Sequence, residues 1–182
     1  IMIKLKKSPD KNFIVLNLTD IQLSFEEFNK NHKARRVLDH TVNALIKKAK
    51  PDLITISGDL CHEHEDKAYD AFADYFEGLG IPWAPIFGNH DNMSPPSVID
   101  EIADRFLKRP LCIYEKGDPE MGNGNFVIEI EECGKTVSAI IMADAHEVYP
   151  FTDHEGNTKY SYETFWPKQF DWYREQISIL ES

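Results

Sequence analysis

Three short apolar runs, each followed by an acidic or amide residue, constrain the fold of this chain more than any other feature of its sequence. The runs cover residues 13–19, 53–57 and 83–87, and the polar residues that follow them are Asp20, Asp59 and Asn89. Nearly continuous apolar runs of this length are typical of strands that are covered on both faces. We therefore predict three buried strands, each with polar residues at its end.

Two amphipathic segments separate these runs and predict helices. Apolar residues recur at spacings of three and four from Lys33 to Ala49, with Pro51 as the stop, and again from Ala68 to Leu79. An order of strand, helix and strand favours parallel pairing with a right-handed crossover. Because ligands bind at the carboxyl ends of parallel strands, the three polar residues are predicted to lie on one rim of the sheet.

The second half of the chain has a different pattern. It predicts a helix from Pro95 to Phe106, closely spaced strands at 111–115, 125–131 and 136–143, a polar and aromatic loop over 147–166, and a last helix with Phe170, Tyr173, Ile177 and Leu180 on one face. The segment at 131–134 has the character of a hairpin turn. This half is therefore predicted to be antiparallel or mixed.

Composition limits the class of protein. The chain has 182 residues, the length of one domain, and we predict a single domain over 1–182. With 20 Lys plus Arg against 31 Asp plus Glu, the formal charge is −11, which disfavours a nucleic-acid backbone as a partner. A phosphorylated substrate would then require a local cation, and a divalent metal ion is the simplest candidate.

Cysteine usage and hydropathy predict the cellular location. The chain has 3 scattered cysteines and no Cys-x-x-Cys pair, which indicates neither a disulfide framework nor a structural zinc site. No apolar run approaches the roughly 20 residues of a membrane span, and the first residues lack the apolar segment of a signal peptide. We therefore predict a cytoplasmic protein without a membrane partner.

The polar residues after the strands form three short motifs. They are Asp-Ile-Gln at 20–22, Gly-Asp at 58–59 and Gly-Asn-His-Asp at 88–91. In the last motif, the amide oxygen of Asn89 is a hard ligand, His90 can coordinate a metal or carry a proton, and Asp91 can orient the imidazole. Each motif alone also fits a polar turn. Their recurrence after three buried strands favours one shared site.

This ordered series resembles the signature of the calcineurin-like metallophosphoesterases, which is Asp-x-His, Gly-Asp, Gly-Asn-His-Asp or Gly-Asn-His-Glu, a single His and then Gly-His-x-His. The end of the chain resembles the purple-acid-phosphatase-like branch in outline. The resemblance implies an α/β fold, the metallo-dependent phosphatase-like four-layer αββα sandwich of two mixed sheets and flanking helices. It also implies a phosphoesterase that hydrolyses a phosphomonoester or phosphodiester with a water activated by two metal ions.

The resemblance further implies roles for individual residues. Asp20 and Gln22 would bind a first divalent metal ion, Asp59 would bridge two and Asn89 would bind the second, while His90 would face the substrate phosphate and Asp91 would hold His90 in register. A bridging carboxylate can hold two ions roughly 3.5 to 4 Å apart, where they polarise a phosphoryl oxygen and generate the attacking hydroxide. Manganese, iron or zinc is the expected metal, and a phosphorylated small molecule, a nucleotide or a phosphoprotein is the expected substrate.

Two departures from the family pattern modify these expectations. Gln22 stands where most of the family has His, and its harder amide oxygen favours manganese. Neither the downstream His nor Gly-His-x-His occurs before Ser182. We therefore expect the N-terminal portion of a longer enzyme, with an incomplete sandwich. The alternative is a catalytically impaired fragment, or an inactive binding or assembly protein, that holds one metal ion or none.

Other polar and aromatic clusters receive a structural interpretation. The Cys-His-Glu-His run at 61–64 is expected in a solvated loop. His146 is expected on the surface at a strand end, where it could approach the substrate. The aromatic residues between Tyr160 and Tyr173 are expected to pack on the core, with stacking on a nucleobase or sugar as the alternative.

Overall fold

The computed structural model describes residues 3–62, 66–162 and 165–181, and eight strands and five helices lie within these ranges. In chain order they are β1 (Ile3–Lys6), β2 (Val15–Leu18), α1 (Lys33–Ala49), β3 (Leu53–Ser57), α2 (Asp66–Glu77), β4 (Trp83–Ile86), α3 (Asn89–Asn92), α4 (Pro96–Phe106), β5 (Phe126–Glu132), β6 (Lys135–Met142), β7 (Val148–Thr152), β8 (Thr158–Tyr162) and α5 (Pro167–Leu180). The predicted mixed α/β fold is confirmed, and α1 and β3 have the predicted bounds.

The first sheet consists of β2, β3 and β4 in that order, and all its strands are parallel, as the alternation of strands and helices predicts. β3 lies in the centre, and its Leu53, Ile54 and Ile56 are completely buried. The preceding helix α1 ends where Lys50 takes a left-handed φ of 51° and donates its N–H to the carbonyl of Ile46. The carboxyl ends of the three parallel strands therefore lie on the same edge of the sheet.

An aromatic cluster packs α2 and α4 against β4. Its members Phe72, Phe76, Trp83 and Phe106 are at most 1% exposed, and their ring centroids lie 4.7 to 6.0 Å apart. The indole N–H of Trp83 donates to the carboxylate of Glu77 at 3.0 Å, so the polar atom of this buried ring has a partner. The cluster fixes β4 and, with it, the polar turn that follows.

The second sheet consists of β1, β5 and β6 in that order. β1 is parallel to β5, whereas β5 and β6 are antiparallel, so the prediction of a mixed second half is confirmed. Cys133 and Gly134 form the two-residue turn between β5 and β6, with φ values of 52° and 81°. Two successive positive φ values are typical of the tight turn that matches the twist of a hairpin. β6 ends at Met142 and delivers residues 143–147 to the edge where the first sheet carries its polar turns.

β1 was not predicted from the sequence. The strand is short, with alternating Ile3, Lys4, Leu5 and Lys6, and its pairing partner β5 is distant in the sequence. Alternation over four residues is a weak local signal. Its strand conformation depends on this non-local pairing.

Two further segments of the second half differ from the prediction. The strand expected at 111–115 is reduced to one bridge between Cys112 and Trp83, because Tyr114 turns inward and packs on Phe87, Phe106 and Phe126. The loop expected over 147–166 contains the antiparallel hairpin of β7 and β8. The alternating Thr-Lys-Tyr-Ser-Tyr run after a Gly-Asn turn was the available signal for this hairpin.

All three cysteines lie within the described residues. Cys61, Cys112 and Cys133 are free thiols. Burial raises the pKa of the Cys61 and Cys112 thiols, which is opposite to what a reactive thiolate requires. Across residues 3–62, 66–162 and 165–181, no helix is long and apolar enough to cross a membrane.

Candidate active site

Three polar turns meet at the carboxyl edge of the first sheet and line one cavity of about 410 Å³. Asp20 follows β2, Asp59 follows β3 and Asn89 follows β4, and all three line this cavity. The opposite wall comes from the segment after β6 and includes His146 and Glu147. The structure therefore brings three of the four candidate metal ligands to one cavity, and the fourth, Gln22, reaches the carboxylate of Asp59.

Three of the candidate ligands have a left-handed backbone conformation. The φ values of Asp20, Gln22 and Asp59 are 54°, 43° and 54°. Such a conformation costs about 1–3 kcal/mol per residue and persists only where surrounding bonds enforce it. Here the N–H of Asp20 donates to the carbonyl of Gly58, and the N–H of Gln22 donates to the carbonyl of Asp59, both at 3.2 Å. Two of these residues, Asp20 and Asp59, line the cavity, and Gln22 contacts Asp59.

The carboxylate of Asp59 is the centre of the hydrogen-bonded cluster. Its Oδ2 accepts from Nε2 of Gln22 at 2.7 Å and lies 3.9 Å from Nε2 of His90. Its Oδ1 accepts from the backbone N–H of His90 at 3.2 Å. Rotation of the terminal amide of Gln22 would present Oε1 in place of Nε2, so the same side chain can offer an oxygen ligand.

Two glycines allow the turns after β3 and β4 to touch. A Cβ at Gly58 would lie 2.9 Å from Cα of Gly88, and a Cβ at Gly88 would lie 2.2 Å from Oδ1 of Asp59. The Cβ at Gly88 would also lie 2.3 Å from the backbone N of Asp59, so an L-residue at either position would displace the backbone. Gly58 also has a φ of 91°, which favours glycine. The two glycines therefore determine how closely Asp59 approaches the Asn89–Asn92 turn.

Asp91 contacts the backbone of the two turns, and its role toward His90 stays a prediction. Its side chain is completely buried and accepts from the N–H of Gly88 at 2.8 Å, from the N–H of Leu60 at 3.1 Å, from the N–H of Cys61 at 3.4 Å and from the hydroxyl of Tyr69 at 2.8 Å. The predicted contact with the His90 imidazole is not among the hydrogen bonds or ion pairs of the described residues. Burial raises the pKa of Asp91, and these hydrogen bonds act in the opposite direction. Asp91 joins the two turns to α2.

His146 also differs from the expectation, because it is buried rather than on the surface. Its ring stacks on Trp166 with centroids 3.7 Å apart, and its Nε2 lies 2.8 Å from Oε1 of Gln169. Its Nδ1 lies 3.6 Å from Oδ2 of Asp144, which is 1% exposed. Asp144 was not among the residues predicted for the site. The available signal was its position directly after the apolar strand predicted at 136–143.

The other histidines and aromatic residues do not complete the site. His62 is exposed, and His64 lies outside the described residues. Among the residues that the structure describes, no three His, Cys, Asp or Glu side chains are grouped closely enough to hold a metal ion. Of the aromatic residues expected to pack on the core, Tyr160 is 72% exposed, whereas Phe165, Trp166, Phe170 and Tyr173 are 38 to 48% exposed.

The donor set fits a hard divalent ion better than a soft one. Asp20 and Asp59 offer carboxylate oxygens, Asn89 and Gln22 offer amide oxygens, and His90 adds one imidazole. Oxygen-rich sites suit magnesium, calcium and manganese, whereas thiolates suit softer metals. Cys61, the nearest thiol in sequence, is buried and has a raised pKa. The residues present therefore fit an oxygen-preferring ion.

Curated proteins with similar sequences have phosphoesterase names. A "Probable cyclic nucleotide phosphodiesterase" from Psychrobacter arcticus is 32% identical over 124 residues, which cover 63% of this chain and 42% of that protein. A second protein of this name, from Synechococcus sp., is 37% identical over 68 residues, covering 36% of this chain and 26% of that protein. A "Probable inactive purple acid phosphatase 14" from Arabidopsis thaliana is 32% identical over 153 residues, covering 75% of this chain and 37% of that protein.

The matched part of this chain spans less than half the length of each of these relatives. A family model covers far more of the chain itself, because the model for Calcineurin-like phosphoesterase matches residues 14–181. This range includes every candidate site residue from Asp20 to Asp91. The chain belongs to the calcineurin-like phosphoesterase family.

Proposed function

We propose that this chain carries the metal-dependent part of a phosphoesterase that hydrolyses a phosphomonoester or phosphodiester. The observation that carries the proposal is the arrangement around Asp59, whose carboxylate contacts Gln22 and the backbone of His90. Asp20 and Asn89 line the same cavity of about 410 Å³, which is large enough for a phosphoryl group and part of its leaving group.

Four side chains would hold the metal in this proposal. Asp20 and Gln22 would bind at one side of Asp59, and Asn89 would bind at the other, with Asp59 shared between two divalent ions. When bound, the metal ions supply positive charge to the phosphoryl oxygens and lower the pKa of the attacking water. Manganese is favoured because Gln22 contributes an amide oxygen where an imidazole would favour softer ions.

His90 would act on the substrate directly. Its side chain is 57% exposed, and its Nε2 lies 3.9 Å from Oδ2 of Asp59, so the imidazole is open to solvent beside that carboxylate. From there it would donate a hydrogen bond to a phosphoryl oxygen or a proton to the leaving oxygen. The Asp91 carboxylate would hold the turn that carries His90 through Gly88 and Leu60.

The substrate is proposed to be a phosphorylated small molecule or nucleotide. The net charge of −11 repels anions, so positive charge bound at Asp59 would have to overcome it locally. Two of the relatives are named as cyclic nucleotide phosphodiesterases, which favours a phosphodiester for this chain as well. The cytoplasmic location stays a prediction.

A second candidate function is that of an inactive or impaired relative. One observation favours it: one of the similar proteins is named as probably inactive. In that case the chain would bind one metal ion or none. Because the matched part of the chain covers less than half the length of these relatives, we expect weaker turnover from it than from a full-length relative.

The test is hydrolysis of a p-nitrophenyl phosphomonoester and diester with Mn²⁺, together with calorimetric titration of Mn²⁺. We expect Asp59→Asn to reduce Mn²⁺-dependent turnover at least about 100-fold and to weaken Mn²⁺ binding, because the shared ligand loses its charge. Asp10→Asn removes the same charge from an exposed position outside the cavity and should leave both values unchanged. Equal turnover in the two variants would rule out the proposed site, and Mn²⁺ binding without turnover would favour the inactive relative.

A further inference from the structure

The short helix α3, which carries Asn89 and His90, is held from two sides. On one side Asp91 accepts from the turn after β3, as described above. On the other side, Nδ2 of Asn92 donates to Oδ1 of Asp144 at 2.9 Å. Asn92 lies three residues after Asn89, so the two side chains are about one helical turn apart. Asn92 and Asn89 are the two ends of one four-residue helix.

The carboxylate of Asp144 is itself held firmly. Its Oδ1 also accepts from the N–H of His146, and its Oδ2 accepts from the N–H of Asn123, both at 2.8 Å. The carboxylate is 1% exposed, so its geometry depends on these protein donors. A Cβ at Gly122 would lie 2.5 Å from Oδ2, which shows how closely the backbone packs on this group.

Gln169 in α5 locks the segment that carries Asp144. Its Nε2 donates to Oδ1 of Asn125 at 2.8 Å and to the carbonyl of Asp144 at 2.7 Å. Its Oε1 is therefore the acceptor for the N–H of Trp166 at 2.7 Å and for Nε2 of His146 at 2.8 Å. His146 thus carries a hydrogen on Nε2 and points Nδ1 at Asp144.

We propose that Asp144, fixed by His146 and Gln169, is a positioning residue that sets the location of Asn89 and His90 through Asn92. The inference rests on the proposed function, because that function makes Asn89 a metal ligand and His90 the group that faces the substrate. It explains why a histidine with a left-handed φ of 63° is buried beside the cavity without reaching the Asp59 cluster. The second sheet and α5 thereby act on a site whose proposed ligands all come from the first sheet.

The experiment compares Asn92→Ala with Asn123→Ala in the full 182-residue chain. Asn123→Ala is the matched control, because Asn123 contacts Asp144 through its backbone N–H, which the substitution keeps. Ile102→Val, in a completely buried position of α4, controls for a general loss of stability. The readouts are amide hydrogen exchange over residues 88–93 by mass spectrometry and Mn²⁺ affinity by calorimetry.

For Asn92→Ala we expect faster exchange over residues 88–93 and a loss of Mn²⁺ affinity of about tenfold, the range for residues that orient metal ligands. Asn123→Ala and Ile102→Val should keep wild-type Mn²⁺ affinity. If Asn92→Ala had the same amide hydrogen exchange over residues 88–93 and the same Mn²⁺ affinity as Asn123→Ala, the positioning role would be wrong. Should Asn92→Ala not fold, Asn92→Ser replaces it, with the same expectations.

The two readouts separate this inference from the proposed function. If wild type takes up no Mn²⁺, the proposed metal site is wrong, and the positioning role for that site falls with it, whatever the exchange data show. If wild type binds Mn²⁺ and Asp59→Asn does not, the proposed site stands. In that case, unchanged Mn²⁺ affinity in Asn92→Ala overturns only the positioning role of Asp144.

Discussion

At the residue scale, the Asp91 carboxylate binds backbone N–H groups of the site and the hydroxyl of Tyr69. The carboxylate lies next to His90 in sequence but accepts its hydrogen bonds from Gly88, Leu60, Cys61 and Tyr69. These donors come from the two turns of the site and from α2. Asp91 thus links the turn after β3 to the turn after β4, and its hydrogen bonds to the described residues include neither the Asp59 nor the His90 side chain.

We expect Asp91→Asn to lower the free energy of unfolding by roughly 2–4 kcal/mol, because its amide NH₂ would face N–H donors and leave them unpaired. Tyr69→Phe removes one hydrogen bond to the carboxylate and should cost about 1.5–3 kcal/mol. Tyr160→Phe removes a hydroxyl from a side chain that is 72% exposed and should have little effect. Urea unfolding followed by tryptophan fluorescence measures all three. If Asp91→Asn lowered the free energy of unfolding no more than Tyr160→Phe does, the Asp91 carboxylate would not stabilise the fold as its hydrogen bonds indicate.

At the element scale, α4 supports the site from behind. Phe106 stacks on Phe87 with centroids 5.8 Å apart and ring planes 11° apart, and Phe87 directly precedes the glycine that touches Asp59. The same ring packs on Phe72 and Trp83, so one helix holds both β4 and the turn that follows it. The aromatic cluster therefore holds the turn after β4 in place.

Phe106→Ala should lower the free energy of unfolding by about 3–5 kcal/mol, because it opens a cavity in a tightly packed core. Its neighbour Leu107 is 49% exposed, and Leu107→Ala should change stability by no more than about 0.5 kcal/mol. Guanidinium unfolding followed by circular dichroism gives both values. If the two alanine variants were equally stable, the aromatic cluster would not be the support that its contacts indicate.

At the scale of the whole molecule, the net charge of −11 destabilises the folded state through repulsion between its acidic groups. Bound cations should reduce this repulsion. The acidic groups Asp20 and Asp59 face one cavity, where a divalent ion would gain from both. Monovalent salt can only screen the charges from outside. The response of the folded state to Mn²⁺ therefore differs from its response to ionic strength.

We expect Mn²⁺ at 100 times its dissociation constant to stabilise the fold by about 2.7 kcal/mol, or to raise the unfolding temperature by roughly 5–11 °C. Sodium chloride at the same ionic strength should raise it less. Differential scanning calorimetry of wild type and Asp59→Asn provides the comparison. An equal rise in both proteins would mean that Mn²⁺ acts on the general surface charge rather than at Asp59.

The elements predicted most accurately are those whose signal is contained in a short stretch. α1 and β3 have the predicted bounds, since helical periodicity, the stop at Pro51 and a continuous apolar run are all local. The meeting of Asp20, Asp59 and Asn89 was also predictable, because the carboxyl ends of parallel strands share an edge once the topology is known. Their roles as ligands stay predictions.

Long-range contacts account for what the sequence did not predict. β1 is a strand because it pairs with β5. Asp91 is buried because Tyr69 and the turn after β3 enclose it. His146 is buried because Trp166 and Gln169 cover it. Each of these partners is distant in sequence, so no local pattern identifies it. The sequence by itself determined the alternation of strands and helices and the chemistry at their ends. Only the tertiary structure decided which polar side chains face the cavity and which hold the backbone, because burial and hydrogen-bond partners depend on the whole fold.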